Sequence, residues 1–332
     1  MKNIVIADEF KSKDFKPSVL LAEYISLIAS QASHFFPKEG LKSSVCPGCG
    51  TCAPEEGFEK LTLMYRRCHE CRTVYVSPRP ADKDIARFYK ESRARSFWNE
   101  QLYRSTAGPR QEKIIKPRFQ WIEDSVQEYF PKAKRFADLN ANQHGYIAQI
   151  IQLGIFEQKT FINPLVEVEG GRGVNIIDRP WWEVDGQWDV LTLFEVLDHT
   201  SDVEGILRKI NAFLPVGGLC FLTDILGSGF DLQVLGPKAS HLNPPDRLNA
   251  FSVEGLKTLF RRHGFECLEF STPGILDLEL VAAACQVDAS LTLPAFIDYM
   301  ISRGDEGLNK SFQEFLQSNL LSSYGRILIR KV

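Results

Sequence analysis

The chain has 332 residues, enough for two domains or for one large domain with an appended module. With 44% apolar and 24% charged residues it has the make-up of an ordinary folded protein, which excludes a disordered or fibrous chain. Its 39 basic against 42 acidic residues give a net charge of −3, which argues against nucleic acid as a partner held by global electrostatics.

Met1 to Phe10 carries Asp8 and Glu9 where a signal peptide would place its apolar core. No later run approaches the roughly 18 uninterrupted apolar residues of a membrane span, so the expectation is a soluble, cytoplasmic protein without a membrane partner. Residues 1–40 then contain one amphipathic run, Val19 to Ala32, read as a helix. Eight cysteines without an export signal are expected to be reduced thiols or metal ligands rather than a disulfide framework. Cys220, Cys267 and Cys285 stand singly in apolar surroundings and read as core.

The other five fall between Cys46 and Cys71. Cys46-Pro47-Gly48-Cys49 and Cys68-His69-Glu70-Cys71 are two CxxC pairs, each a tight turn that brings two thiolates to one side. Four thiolates make a closed tetrahedral zinc shell with no position left for water or substrate, so the metal's role is structural. Cys52 and His69 would break the two-plus-two spacing and are left out. Phe58 to Arg66 alternates like a hairpin strand, and Thr73 to Val76 can pair with it. Residues 41–80 therefore read as a zinc ribbon.

Residues 81–133 read as a helical linker or cap. From Lys83 to Arg135 basic residues outnumber acidic ones, with Phe88, Tyr89, Phe97, Trp98, Tyr103, Phe119 and Trp121 interleaved. Two readings stay open: a solvated helical face whose aromatics are core, or a surface that holds an anion.

After Arg135 strands alternate with helical stretches, the signature of a parallel sheet covered on both faces. The expected strands are 134–139, 159–163, 173–177, 189–194, 218–224 and 266–271. Helices fit 145–153, 202–213 and 253–263, with Ser201 and Ser252 as N-caps and Gly264 as a stop. This is a doubly wound α/β sheet whose ligand crevice lies near Asp138 and Glu195. Leu293 to Leu321 reads as two helices broken at Gly304 to Gly307, and 323–332 as a final strand.

Asp189-Val190-Leu191-Thr192-Leu193-Phe194-Glu195-Val196-Leu197-Asp198-His199, then a helix and Phe213-Leu214-Pro215-Val216-Gly217-Gly218, resembles class I S-adenosylmethionine-dependent methyltransferases. The likeness continues through Asn243-Pro244-Pro245-Asp246-Arg247 to Ser252 and His263-Gly264-Phe265-Glu266. With the ribbon, it is similar to the zinc-ribbon branch of small-molecule and sugar methyltransferases. The resemblance implies a seven-stranded, mostly parallel sheet over residues 134–332, its last strand antiparallel, with a helical insertion at 275–320. It also implies S-adenosylmethionine as cofactor and a small, hydroxylated or sugar-like acceptor, nucleotide-linked and anionic forms included.

In the family's register the cofactor lies against Asp138, Asn140, Asn142, His144, Gly145, Asn163 and Phe194. Asn140, Asn142 and His144 replace the glycines of the family's loop, and Asn163 replaces the acid that takes the ribose hydroxyls, so weakened cofactor binding is expected. His199 is the leading general base, with a helix-capping role as the alternative; Glu195 and His241 complete the catalytic candidates. A second function class is a degenerate methyltransferase fold serving as a non-catalytic binding or scaffold protein.

Overall fold

A computed structural model describes residues 1–3, 17–55, 57–139, 144–164, 166–168 and 170–332. Helix α1, Ser18–Phe35, buries Tyr24, Ile28, Ala32 and Phe35, the spacing that puts one stripe of a helix against a core. Strands β1 (Phe58–Lys60), β2 (Leu63–Arg67) and β3 (Val74–Val76) then pair antiparallel in sequence. Helices α2 (Asp82–Glu91) and α3 (Arg93–Phe97) follow. The chain stays helical through a π-helical stretch at Trp98–Tyr103, α4 (Arg104–Arg110), a second one at Gln111–Ile115, and α5 (Lys116–Tyr129). Pro109 and Pro117, which have no N–H to give a helix, fall beside the second widened stretch.

The alternating half supplies β4 (Arg135–Leu139), α6 (His144–Gln152), β5 (Gln158–Ile162), β6 (Val174–Ile177), β7 (Val190–Phe194), α7 (Val203–Phe213) and β8 (Leu219–Ile225). It continues with α8 (Phe230–Leu235), the short β9 (Asn249–Ala250), α9 (Val253–Arg262), β10 (Phe265–Ser271), α10 (Asp277–Val287), α11 (Ala295–Arg303), α12 (Glu306–Ser318) and β11 (Tyr324–Lys331). Among the described residues the main sheet has seven strands in the order β10-β11-β8-β7-β4-β5-β6. Neighbours from β8 to β6 are parallel, and β11 enters antiparallel between β8 and β10, as the resemblance implies.

The central strands β7 and β8 are near-continuous apolar runs because helices cover both faces of the sheet. On α7, Val203, Ile206, Leu207, Ile210 and Phe213 are buried, and removing any one large apolar side chain would forfeit about 1.5–3 kcal/mol of burial. The cap differs from expectation by one residue. Asp202, not Ser201, accepts from the Gly205 N–H at 2.8 Å, while the Ser201 hydroxyl donates to Pro80 O at 2.5 Å. Ser252 does cap α9, and Gly264 closes that helix at φ +74°. Of the three single cysteines only Cys220 is fully buried; Cys267 and Cys285 are half-buried, on an edge strand and on α10.

The second sheet joins distant parts of the chain. Its order is β1-β2-β3-β9, so residues that follow β8 complete the sheet begun by the cysteine segment. Among the described residues no helix is long and apolar enough to cross a membrane.

Candidate active site

Cys46, Cys49, Cys68 and Cys71 come together with all four Sγ atoms within 4.8 Å of one another, and no other such group of His, Cys, Asp or Glu occurs among the described residues. The 46–71 and 49–68 pairs are each 3.5 Å apart. Four sulfurs at zinc–thiolate distance stand about 3.8 Å from one another in a tetrahedron, so this donor set fits Zn²⁺. The two turns are built alike. Each first cysteine's carbonyl accepts a backbone N–H four residues on, from Gly50 and from Arg72, and these two residues adopt φ of +81° and +65°. Cys52 is exposed and His69 points to solvent beside Glu70.

A cavity of about 360 Å³ opens beyond the carboxyl ends of β7 and β8. Of the sequence-named residues it collects Glu195, His199 and His241, but not Asp138, Gly145, Asn163 or Phe194. Asp138 is buried at the end of β4, where its carboxylate accepts from Tyr146 Oη at 2.9 Å and Thr192 Oγ1 at 2.5 Å. It thereby ties α6 and β7 to β4. Asn163, just past β5, has φ +49°, a left-handed conformation that Asn tolerates better than most residues. Phe194 packs against Tyr146 with centroids 5.5 Å apart. Gly145 lies in the first turn of α6, where an added Cβ would meet Gln111 Oε1 at 2.6 Å. Asn140, Asn142 and the His144 side chain lie outside the described residues.

Glu195 leaves β7 with φ +57°, uncommon for a residue with a side chain and held by two arginines. Its Oε1 accepts from Arg118 Nη2 at 3.0 Å and its Oε2 from Arg247 Nη2 at 3.1 Å. Burial favours the neutral acid, but Arg247 and Arg118 outweigh it and hold Glu195 well below the usual carboxylate range. Arg118 also donates to Tyr324 Oη and lies over the Phe194 ring. The Asp198 side chain is fully buried, 3.1 Å from Arg247 Nη1; burial pushes its acid up to about 7 against the pull of that guanidinium.

His199 does not cap α7. Nδ1 is 2.6 Å from Tyr89 Oη and Nε2 is 2.5 Å from Arg247 Nη1. Burial, then the Arg247 charge, pushes the ring's pKa well below its ordinary value. Tyr89 and Tyr24 donate to the two oxygens of Asp246 at 2.8 and 2.5 Å. His241 is buried with its Nε2 3.2 Å from Asp231 Oδ2.

Sequence reasoning missed Arg247, Arg118, Tyr89, Tyr24 and Asp246. Arg247 and Asp246 were in view inside the Pro-Pro loop; Tyr89 and Arg118 lay in the basic aromatic stretch. That stretch divides between its two readings. Phe88, Phe119 and Trp121 are core, whereas Arg95, Trp98, Tyr103, Arg110, Lys113 and Arg118 line the cavity.

The family model described as a methyltransferase domain matches residues 64–269. The chain belongs to the methyltransferase family. It is also similar to a putative sarcosine dimethylglycine methyltransferase from Galdieria sulphuraria, at 13% identity over 65% of this chain and 86% of that one, with a TM-score of 0.43. The plantazolicin methyltransferase BpumL, solved with SAH, shares 12% identity over 74% of this chain and 93% of that one, with a TM-score of 0.46. No curated protein sequence matches it. The assignment rests on the family model and agrees with the strand order, which makes this methyltransferase a class I enzyme.

Proposed function

We propose that this methyltransferase uses S-adenosylmethionine to methylate a small, hydroxylated or sugar-like acceptor bearing negative charge, nucleotide-linked forms included, with zinc held by Cys46, Cys49, Cys68 and Cys71 as in the ribbon-bearing branch. The carrying observation is the cavity. It sits at the carboxyl ends of the central strands, and among the described residues its wall holds the cations Arg95, Arg110, Lys113, Arg118, Arg247 and Arg326 against three carboxylates, Glu195, Asp246 and Asp277. A wall of that sign favours an anion, and about 360 Å³ suits a small molecule rather than a polymer.

The cofactor supplies an electrophilic methyl group when bound. Asn163 and the start of α6 after Asp138 would hold it, since they close the ends of β5 and β4. His199 takes the acceptor's hydroxyl proton at Nε2, which requires that atom to lie within about 3 Å of the hydroxyl. Glu195 and Asp198 keep Arg247 in place, and His241 shapes the wall with Asp231.

Calorimetric titration of S-adenosylmethionine into the full chain, followed by methylation assays on nucleotide sugars and free metabolites, tests the reading. Exchanging His199→Ala should lower turnover roughly 100-fold with cofactor affinity unchanged. No heat at millimolar cofactor would favour the non-catalytic reading, which the replaced loop glycines at 140, 142 and 144 support.

A further inference from the structure

Tyr89, on α2, shares its hydroxyl between two neighbours, Asp246 Oδ1 at 2.8 Å and His199 Nδ1 at 2.6 Å. A phenol has one proton to give. Burial and the Asp246 charge raise the Tyr89 and Tyr24 hydroxyls well above their ordinary pKa, so both remain protonated. A carboxylate oxygen can only accept. Giving the Tyr89 proton to Asp246 satisfies the carboxylate and turns a phenolic lone pair toward Nδ1, which must then carry a proton. Giving it to Nδ1 would set phenolic lone pairs against the carboxylate.

The other side of the ring makes the same demand independently. Arg247 Nη1, which donates and never accepts, stands 2.5 Å from Nε2, closer than Asp198 Oδ1 at 3.4 Å, whose acid burial pushes up toward its neutral form, so Nε2 presents its lone pair to the guanidinium. Arg247 is itself fixed by Glu195 and Asp198.

We propose that Tyr89, backed by Asp246, is a positioning residue that fixes His199 as the neutral tautomer protonated at Nδ1, so that Nε2 is the ring's single accepting atom and meets an acceptor group that donates, such as a hydroxyl. This rests on the reading of His199 as the base. In the free protein Arg247 occupies that lone pair; an acceptor hydroxyl takes its place there while Arg247 keeps its carboxylates. Tyr24 serves as the internal control, because its hydroxyl bonds the other oxygen, Oδ2, of the same carboxylate.

The test is nitrogen-15 magnetic resonance of the full chain labelled at histidine, with the His199 signals assigned by their loss in His199→Gln. At pH 7 the native ring should show a protonated Nδ1 and an unprotonated Nε2. The Tyr89→Phe variant, which keeps the aromatic ring, should exchange its Nδ1 proton with solvent at least about 10-fold faster, and Tyr24→Phe should leave the rate within about twofold. A native ring protonated at Nε2, an unchanged rate in Tyr89→Phe, or an equal acceleration in Tyr24→Phe would each overturn the proposal. Its failure is separable from that of the function: an Nδ1-protonated ring with full turnover in His199→Ala sinks the base and spares the tautomer, and the reverse pair of results does the opposite.

Discussion

The cysteine cluster and the cavity at the carboxyl ends of β7 and β8 are assembled on opposite plans. All four metal-binding candidates come from one stretch, Cys46 to Cys71, as two turns of like hydrogen bonding. The cavity draws Tyr24 from α1, Arg95 to Arg118 from the long helical stretch, Glu195 and His199 from the exit of β7, Asp246 and Arg247 from the loop before β9, and Tyr324 from β11. A closed metal shell needs only short spacing. A binding wall needs charges from many elements, each kept from collapsing onto another by a third, as Glu195 and Asp198 keep Arg247. The first site therefore tolerates change poorly at few positions, and the second spreads its sensitivity widely.

Removing ligands breaks the first site outright and should give the largest effect. The Cys49→Ala, Cys71→Ala pair is expected to lower zinc from one equivalent to near zero by metal analysis, and to lower the melting temperature sharply, because binding free energy of a structural zinc, of order 10 kcal/mol, is also folding free energy. Full metal retention would refute the shell.

At the cavity, Arg247→Met is expected to cost about 3–5 kcal/mol in denaturant unfolding, since it leaves the buried Asp198 carboxyl without its partner and the Glu195 carboxylate with half of its clamp. A loss under 1 kcal/mol would show that the wall does not depend on this residue.

At the cofactor side, Asn163→Asp restores a carboxylate and should tighten S-adenosylmethionine binding by about 1–2 kcal/mol in calorimetry, Asp also tolerating the left-handed backbone. Unchanged affinity would mean that Asn163 does not face the ribose.

The last effect is read as a slope, in the pH dependence of stability. Asp198, raised to about 7 against an unfolded value near 4, binds its proton more tightly in the folded state, so its contribution falls as pH rises from 4 to 7. His199, depressed below 6.5, runs the other way, its contribution growing as pH rises toward 6.5. The permanently neutral His199→Gln should therefore steepen the decline in unfolding free energy across this window, by at most about 1.4 kcal/mol per pH unit. A slope equal to the native one would refute the depression.

The contrast between the two sites also explains what the sequence alone conveyed. The strands and helices were readable because periodicity and caps are local, and Ser201 was misjudged only because Asp202 beside it is an equally good cap. The clustering of the four cysteines was readable from spacing. Arg247 and Tyr89 were not, because their importance comes from meeting His199 across 48 and 110 residues of chain, which no local pattern encodes. α1 carried no functional signal, yet its Tyr24 reaches Asp246.

The pairing of β3 with β9 bears on the kinetics of folding. The hydrogen bonds within the cysteine turns close loops of a few residues, whereas Ser252 meets Thr73 and Cys71 across 179 and 181 residues. Closing so long a loop is entropically costly and slow relative to a turn. The same junction carries the bond from the Val76 amide to Leu248 O, one residue from Arg247. During refolding, pulsed hydrogen exchange should find the Gly50 and Arg72 amides protected well before that of Val76. The cavity wall is then among the last parts of the chain to be set, after the four cysteines have been brought together.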